Sequence, residues 1–201
     1  MPVIRCVVFD LGQVLSSPAG LFTEPAALLG VEASAFEALY WQNRVAYDAG
    51  GSDTAYWTPL LTALGQPATP ETVRALAQLD ARLWVEGMRP EALQLVRDVR
   101  AAGRLVAILS NAPFALDLAL VDAPYAGDAD YWFVSASMGV TKPDPAVYYR
   151  VEEVTDLMAS ELAFIDDRPH NVHGARQAGW DAHLFVDDSD TRAWLRALGV
   201  L

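Results

Sequence analysis

The stretch from Val3 to Phe9 is apolar at every position except Arg5 and stops abruptly at Asp10, with Gly12 two residues further on. A strand that is apolar on successive rather than alternate residues is buried on both faces, as in the parallel sheets of α/β proteins. No other stretch constrains the chain as much. It predicts a strand holding a carboxylate at its carboxyl end, the edge of an open α/β sheet where ligands bind.

Later runs repeat the arrangement. Leu105 to Leu109 ends in Ser110 and Asn111, and Leu162 to Ile165 ends in Asp166 and Asp167. Tyr131 to Val134 and Leu184 to Val186 read as further strands. Helical patterns separate them: one opens at Pro90 and stops at Gly103, one is capped by Asp144 with Pro145 at its first position, and one stops at Gly179. A last helix runs from about Ser189 to Leu198. Strand and helix in alternation, with short connections, predict a parallel sheet covered on both faces.

Residues 16–87 break that rhythm, because no strand pattern occurs there. Helical spacing over 33–48 puts Phe36, Leu39, Tyr40 and Tyr47 on one face and Trp41, Arg44 and Asp48 on another. Gly50 and Gly51 end it, and Ser52 or Asp53 caps a second helix through Tyr56, Leu60 and Leu64. A third follows Pro70. The aromatics of this helical insertion are expected to form its own core. The organisation is therefore an α/β core over 1–15 and 88–201, interrupted by an all-α segment over 16–87.

Composition excludes some roles. A net charge of −12 repels phosphate backbones and anionic lipid, so neither nucleic acid nor a membrane surface is an expected partner. Mean hydropathy is +0.17, yet no apolar run reaches the roughly 18 residues that span a bilayer. The start of the chain reads as a core strand rather than a signal peptide, and Cys6, the single cysteine, sits in that strand beside Val7 and Val8. A cytoplasmic protein is expected. Among 14 basic residues only Lys142 is a lysine, a compact point charge in a chain that otherwise uses arginine.

The polar residues at the strand ends form one chemical set. A carboxylate such as Asp10 can attack phosphorus and split one difficult displacement into two easier ones. Asp10, Asp166 and Asp167 would repel one another, which calls for a hard cation such as Mg²⁺ among them. Ser110, the Asn111 backbone N–H and Lys142 would hold phosphoryl oxygens and stabilise their charge.

These motifs, FDLGQVL around Asp10, LSN at Ser110, TKPDPAVY at Lys142 and FIDDRPHNVHGARQAG at Asp166 and Asp167, resemble the four motifs of the haloacid dehalogenase-like hydrolases. The resemblance covers essentially the whole chain and is to the phosphatase branch, with a helical cap inserted after the first strand. It implies a Rossmann-like core, a nucleophilic Asp10, and Mg²⁺ held by Asp10, the Gly12 carbonyl and Asp167 with Asp166 close by. Leu11 joins Ser110, Asn111 and Lys142 as a phosphate-binding residue. The implied reaction is Mg²⁺-dependent hydrolysis of a small phosphorylated metabolite through an aspartyl-phosphate.

One position departs from the family pattern. Most of its phosphatases carry a second aspartate two residues after the nucleophile, as general acid and base, and this chain has Gly12. The expectation is a substrate needing little acid help, such as an anomeric sugar phosphate or an acyl phosphate, or a donor lent by the cap. Asp48 is the candidate donor, with Arg44 and Trp41 as substrate contacts. Two alternatives accompany this reading: a phospho-ligand-binding protein impaired in turnover, and a 2-haloacid dehalogenase, which Asp166 and Asp167 oppose by repelling a carboxylate substrate. His170 and His173 are expected at the surface, Arg168 in a structural role, and Asn171 in the outer shell of the metal. Oligomeric state is left open.

Overall fold

The computed structural model describes residues 3–201. Its first strand, β1 (Cys6–Phe9), is followed by a helical segment: α1 (Thr23–Leu29), α2 (Ala33–Tyr40), α3 (Arg44–Asp48), α4 (Asp53–Ala63) and α5 (Pro70–Glu86). Strand and helix then alternate through α6 (Pro90–Ala101), β2 (Leu105–Ser110), α7 (Phe114–Val121), β3 (Tyr131–Val134), α8 (Ser135–Met138), α9 (Pro145–Thr155), β4 (Leu162–Asp166), α10 (Pro169–Gln177), β5 (Asp181–Leu184) and α11 (Asp188–Ala197).

The five strands form one parallel sheet in the order β3-β2-β1-β4-β5. The central place of β1 explains its uninterrupted apolar run. Val7 and Phe9 point to one face, with Val106, Ile108, Ala163 and Ile165, and Cys6 and Val8 point to the other, with Leu109, Leu162 and Phe164. Side chains alternate across a strand, so a strand covered on both faces needs apolar residues at both parities. Helices α9 and α10 cover the second face through Val147, Tyr148, Val151, Val172 and Ala175. The first face is covered by α6, α7 and α11 and is continuous with the core of the helical segment. This is the expected α/β Rossmann-like fold.

The chain order fixes where a ligand can sit. From β1 the chain builds outward to β2 and β3, then returns across the sheet to β4 and β5. The strand order therefore reverses between β1 and β4, and a crevice opens beyond their carboxyl ends. Asp10 and Asp166 terminate those two strands.

In the helical segment the aromatics pack on one another, and this core runs on into the first face of the sheet. Tyr47 and Tyr56 stack at 4.3 Å between centroids, and Trp57 is fully buried. Ser52, rather than Asp53, caps α4 by accepting from the Ala55 N–H, and Asp144 caps α9 by accepting from the Ala146 N–H. Two expectations are corrected. The helix over 33–48 is two helices, because Asn43 takes a left-handed conformation (φ 59°) that asparagine tolerates better than most residues. The last strand lies at 181–184, earlier than Leu184 to Val186. It is an edge strand paired only with β4, so Ala182 alone is buried and no continuous apolar run marks it.

Two short stretches join the segment to the sheet. The Ser17 N–H donates to the Gly87 carbonyl and the Arg89 N–H to the Leu15 carbonyl, and the Ser16 hydroxyl donates to the Trp84 carbonyl. Gly87 is required there, because a Cβ would stand 2.8 Å from the Pro18 nitrogen.

Candidate active site

Lys142 holds the centre of the site. Its Nζ donates to Asp10 Oδ1 at 2.7 Å, to Asp166 Oδ2 at 2.8 Å and to the Leu109 carbonyl at 2.7 Å. The side chain is 1% exposed, so the ammonium has exchanged water for three oxygens at the ends of three adjacent strands. Burial alone would lower its pKa. Asp10 and Asp166 more than offset that and raise it above the usual lysine value, so the group stays charged.

The loop that delivers Lys142 is fixed by Asn111. Its side-chain amide donates to the Lys142 carbonyl at 2.9 Å and accepts from the Lys142 N–H at 2.8 Å. The Asn111 side chain thus positions the lysine loop, while its backbone N–H, like that of Leu11, meets no acceptor among the described residues. The Ser110 hydroxyl is likewise without a described partner, in the cleft beside Asp10. Gly174 of α10 presses on the same loop; a Cβ there would lie 3.1 Å from the Pro143 carbonyl oxygen and 3.0 Å from the Tyr148 hydroxyl.

The acidic groups divide by role. Asp166 is fully buried and its oxygens accept from Lys142, from Asn171 Nδ2 at 3.0 Å and from the Arg168 N–H at 2.8 Å. Asp167 is half-buried and pairs with no described cation. Carboxylate oxygens of Asp10, Asp166 and Asp167 lie within 4.8 Å of one another. Burial pushes Asp10 up to about 7, with Lys142 opposing and Asp166 adding to the rise, and burial also raises Asp167. Asn171 Oδ1 is buried without a hydrogen-bond partner. Clustered carboxylates beside an orphaned amide oxygen and a Gly12 carbonyl with no described donor suit a hard oxygen-seeking divalent cation.

These groups line a cleft of about 560 Å³ whose opposite wall comes from the helical segment: Trp41, Arg44, Val45, Asp48 and Trp84. All three residues expected from that segment therefore reach the site, by different means. Trp41 is 45% exposed and offers its ring. Arg44, expected as a substrate contact, is buried in the wall of the cleft: its Nε donates to Asp48 Oδ1 at 2.8 Å, and its Nη1 to the Tyr40 hydroxyl at 2.6 Å and to Asp80 Oδ2 at 3.2 Å. Burial pushes Asp48 up to about 6, while Arg44 opposes.

Sequence reasoning missed Asp80, Tyr40 as a polar partner, and Trp84 as a cleft residue. Asp80 left a signal: it is the only charge on the α5 stripe of Val73, Leu76, Ala77 and Trp84. Arg168 was expected to be structural. Its exposed side chain pairs with no described carboxylate and lines the cleft. His170 and His173 are exposed, and neither joins the carboxylate cluster. Cys6 is buried and its thiol is pushed up to about 12 by burial.

Carboxylates and a buried ammonium are thus gathered where a parallel sheet reverses its strand order, the ligand-binding edge of an open α/β fold. The chain belongs to the haloacid dehalogenase-like hydrolases, whose family profile matches residues 4–179. It is similar to the phosphoserine phosphatase of Thermus thermophilus, at 30% identity over 93% of this chain and 83% of that protein. It is also similar to Phosphatase MT3486 of Mycobacterium tuberculosis, at 28% identity over 94% of this chain and 90% of that one. Among solved structures, the L-2-haloacid dehalogenase of Xanthobacter autotrophicus superposes with a TM-score of 0.73 at 19% identity, covering 99% of this chain and 85% of that one. A family enzyme of Bacteroides thetaiotaomicron, in complex with magnesium and inorganic phosphate, superposes at 0.68 with 17% identity, covering 90% and 93%. Both share the fold.

Proposed function

We propose that this hydrolase is a phosphatase acting on a small phosphorylated metabolite, with Asp10 as nucleophile and residues 16–87 as a cap over the cleft. The observation that carries the reading is the Lys142 bridge. One ammonium fixes Asp10 Oδ1, leaving Oδ2 without a described partner and facing the cleft, and the same charge offsets the repulsion between Asp10 and Asp166. The relatives named as phosphatases support it, and so does the neighbour solved with magnesium and phosphate.

Asp10, Asp167 and the Gly12 carbonyl would hold Mg²⁺, with Asn171 and Asp166 behind them. Bound there, the ion supplies neutralising charge to the phosphoryl group. Lys142, the Ser110 hydroxyl and the backbone N–H groups of Leu11 and Asn111 orient the phosphoryl oxygens and stabilise the charge they gain in the transition state. Asp10 Oδ2 attacks phosphorus, and water later releases phosphate from the aspartyl ester. Trp41 and Trp84 offer apolar surface to the rest of the substrate. The acidic pair at 166–167 opposes a haloacid substrate.

The test is phosphate release from a panel of sugar, acyl, nucleotide and aryl phosphates, with Mg²⁺ or with EDTA, for the wild type and for Asp10→Asn. Metal-dependent turnover that disappears in the variant is expected. No release from any member of the panel would overturn the reading in favour of a phospho-ligand-binding protein.

A further inference from the structure

The phosphatase reading leaves the reaction without a proton carrier, because Gly12 stands where a carboxylate would serve. The Trp84 ring stands in van der Waals reach of that position, 3.6 Å from where a Gly12 Cβ would be, and Trp84 is itself held by a hydrogen bond from its Nε1 to the Tyr40 hydroxyl at 3.2 Å. We propose, resting on that reading, that Asp48 is the general acid and base of this enzyme, held in place by Arg44 as a positioning residue.

Three observations carry this. Asp48 lines the same cleft as Asp10, and only one of its oxygens is engaged: Oδ1 accepts from Arg44 Nε, while Oδ2 has no described donor. The residue is 7% exposed, so this free oxygen belongs to a carboxyl group otherwise withdrawn from water.

Asp48 is also tied to the sheet as well as to the helical segment. The Ser135 hydroxyl, at the start of α8, donates to the Asp48 carbonyl at 2.5 Å and accepts from the Ala112 N–H at 2.9 Å, in the loop after Ser110. Gly50, at φ 104°, brings the end of α3 against α8, where a Cβ would lie 3.2 Å from the Ala136 carbonyl. The carboxyl group is therefore fixed relative to the strand ends that carry Asp10 and Ser110.

Arg44, finally, is a fixed donor. Tyr40 and Asp80 occupy its Nη1, and the Tyr40 hydroxyl donates to Asp80 Oδ1 at 2.6 Å, so its Nε points at Asp48 in one geometry. The charged groups acting on Asp48 are Arg44 and Arg168, which favour its ionised form, and Asp80, which opposes it. Burial outweighs them and leaves the carboxyl near neutrality, where a proton moves in either direction.

The proton balance closes. As the Asp10 oxygen bonds to phosphorus and the bond from phosphorus to the leaving oxygen breaks, Asp48 gives its proton to that oxygen and becomes a carboxylate. In the second step Asp48 takes a proton from the attacking water. The water oxygen bonds to phosphorus as the bond between phosphorus and Asp10 breaks, inorganic phosphate leaves, and Asp10 and Asp48 return to their starting states.

The experiment compares 4-nitrophenyl phosphate, whose leaving group needs no proton, with propyl phosphate, whose leaving group does, in the wild type and in Asp48→Asn. Expected is a fall of about 10²- to 10⁴-fold in kcat on propyl phosphate with KM nearly unchanged. On 4-nitrophenyl phosphate the variant should give a burst of one nitrophenol per active site, followed by slow turnover, because only the second step still needs the base. Asp48→Glu should recover part of the loss. Equal falls on both substrates with no burst, or a rise in KM alone, would overturn the proposal. Should the variant fail to fold, the wild type decides: a kcat/KM nearly independent of leaving-group basicity is expected, and a steep dependence overturns it. A wild type that releases phosphate from neither compound nor from any member of the panel above refutes the phosphatase reading itself, whereas a wild type active on the panel and unaffected by Asp48→Asn overturns only the proposal.

Discussion

Replacing Asp10 by asparagine should stabilise the metal-free protein, and the gain should depend on pH. Asp10 is 7% exposed, and burial raises its pKa from 3.8 to about 7 despite the ion pair with Lys142. A carboxyl group whose pKa is higher in the folded state leaves stability intact below the unfolded value and takes it away as pH rises through the folded one. The folded protein therefore loses stability between about pH 4 and pH 7 and levels off above that. A rise of about three units corresponds to roughly 4 kcal/mol at 1.36 kcal/mol each. Asparagine keeps the shape and stays neutral, and Lys142 retains Asp166 as its partner at 2.8 Å. Urea unfolding in EDTA should find Asp10→Asn and the wild type equal near pH 4. At pH 8 the variant should be more stable by up to about 4 kcal/mol, or roughly 8–16 °C in thermal midpoint for a chain of this size. A gap that does not change with pH, or a variant less stable at pH 8, would refute the claim that burial dominates the charge of this residue.

Two further substitutions probe the support of the site. Lys142→Met removes the one cation between Asp10 and Asp166 and should cost about 3–5 kcal/mol at pH 8, since it leaves buried carboxylates unpaired; denaturant unfolding at pH 8 and pH 5 checks it, with the smaller loss expected at pH 5. Gly174→Ala places a methyl group 3.1 Å from the Pro143 carbonyl oxygen and should lower stability by about 1–3 kcal/mol while moving the lysine loop; a lower thermal midpoint together with reduced phosphate release is the expected result, and an unchanged midpoint would show that the loop yields freely.

The sheet was legible because its central strands are covered on both faces, and burial at both parities writes a continuous apolar run into Val7 to Phe9, Leu105 to Leu109 and Leu162 to Ile165. The strand at 181–184 was placed too late because an edge position relaxes that requirement. Asp10, Ser110, Lys142 and the acidic pair could be gathered from the linear chain because each follows a strand or opens a helix, and parallel strands bring their carboxyl ends to one edge. The helical segment was less readable. Its helices pack by side-chain shape, and nothing in the local spacing says that Asn43 turns the chain between Tyr40 and Arg44.

Local pattern was thus enough to give this protein its parallel sheet, the carboxylates and lysine at the sheet's active edge, and an aromatic core in the inserted helices, because burial and strand direction act on consecutive residues. The state of those side chains came from packing between distant parts of the chain. Asp80 lies 36 residues from Arg44 and Lys142 lies 132 residues from Asp10, yet these pairs decide that the Arg44 guanidinium is buried and paired and that one ammonium serves two strands. Trp84 lies over Gly12 for the same reason: only the folded helical segment carries its ring back to the first strand.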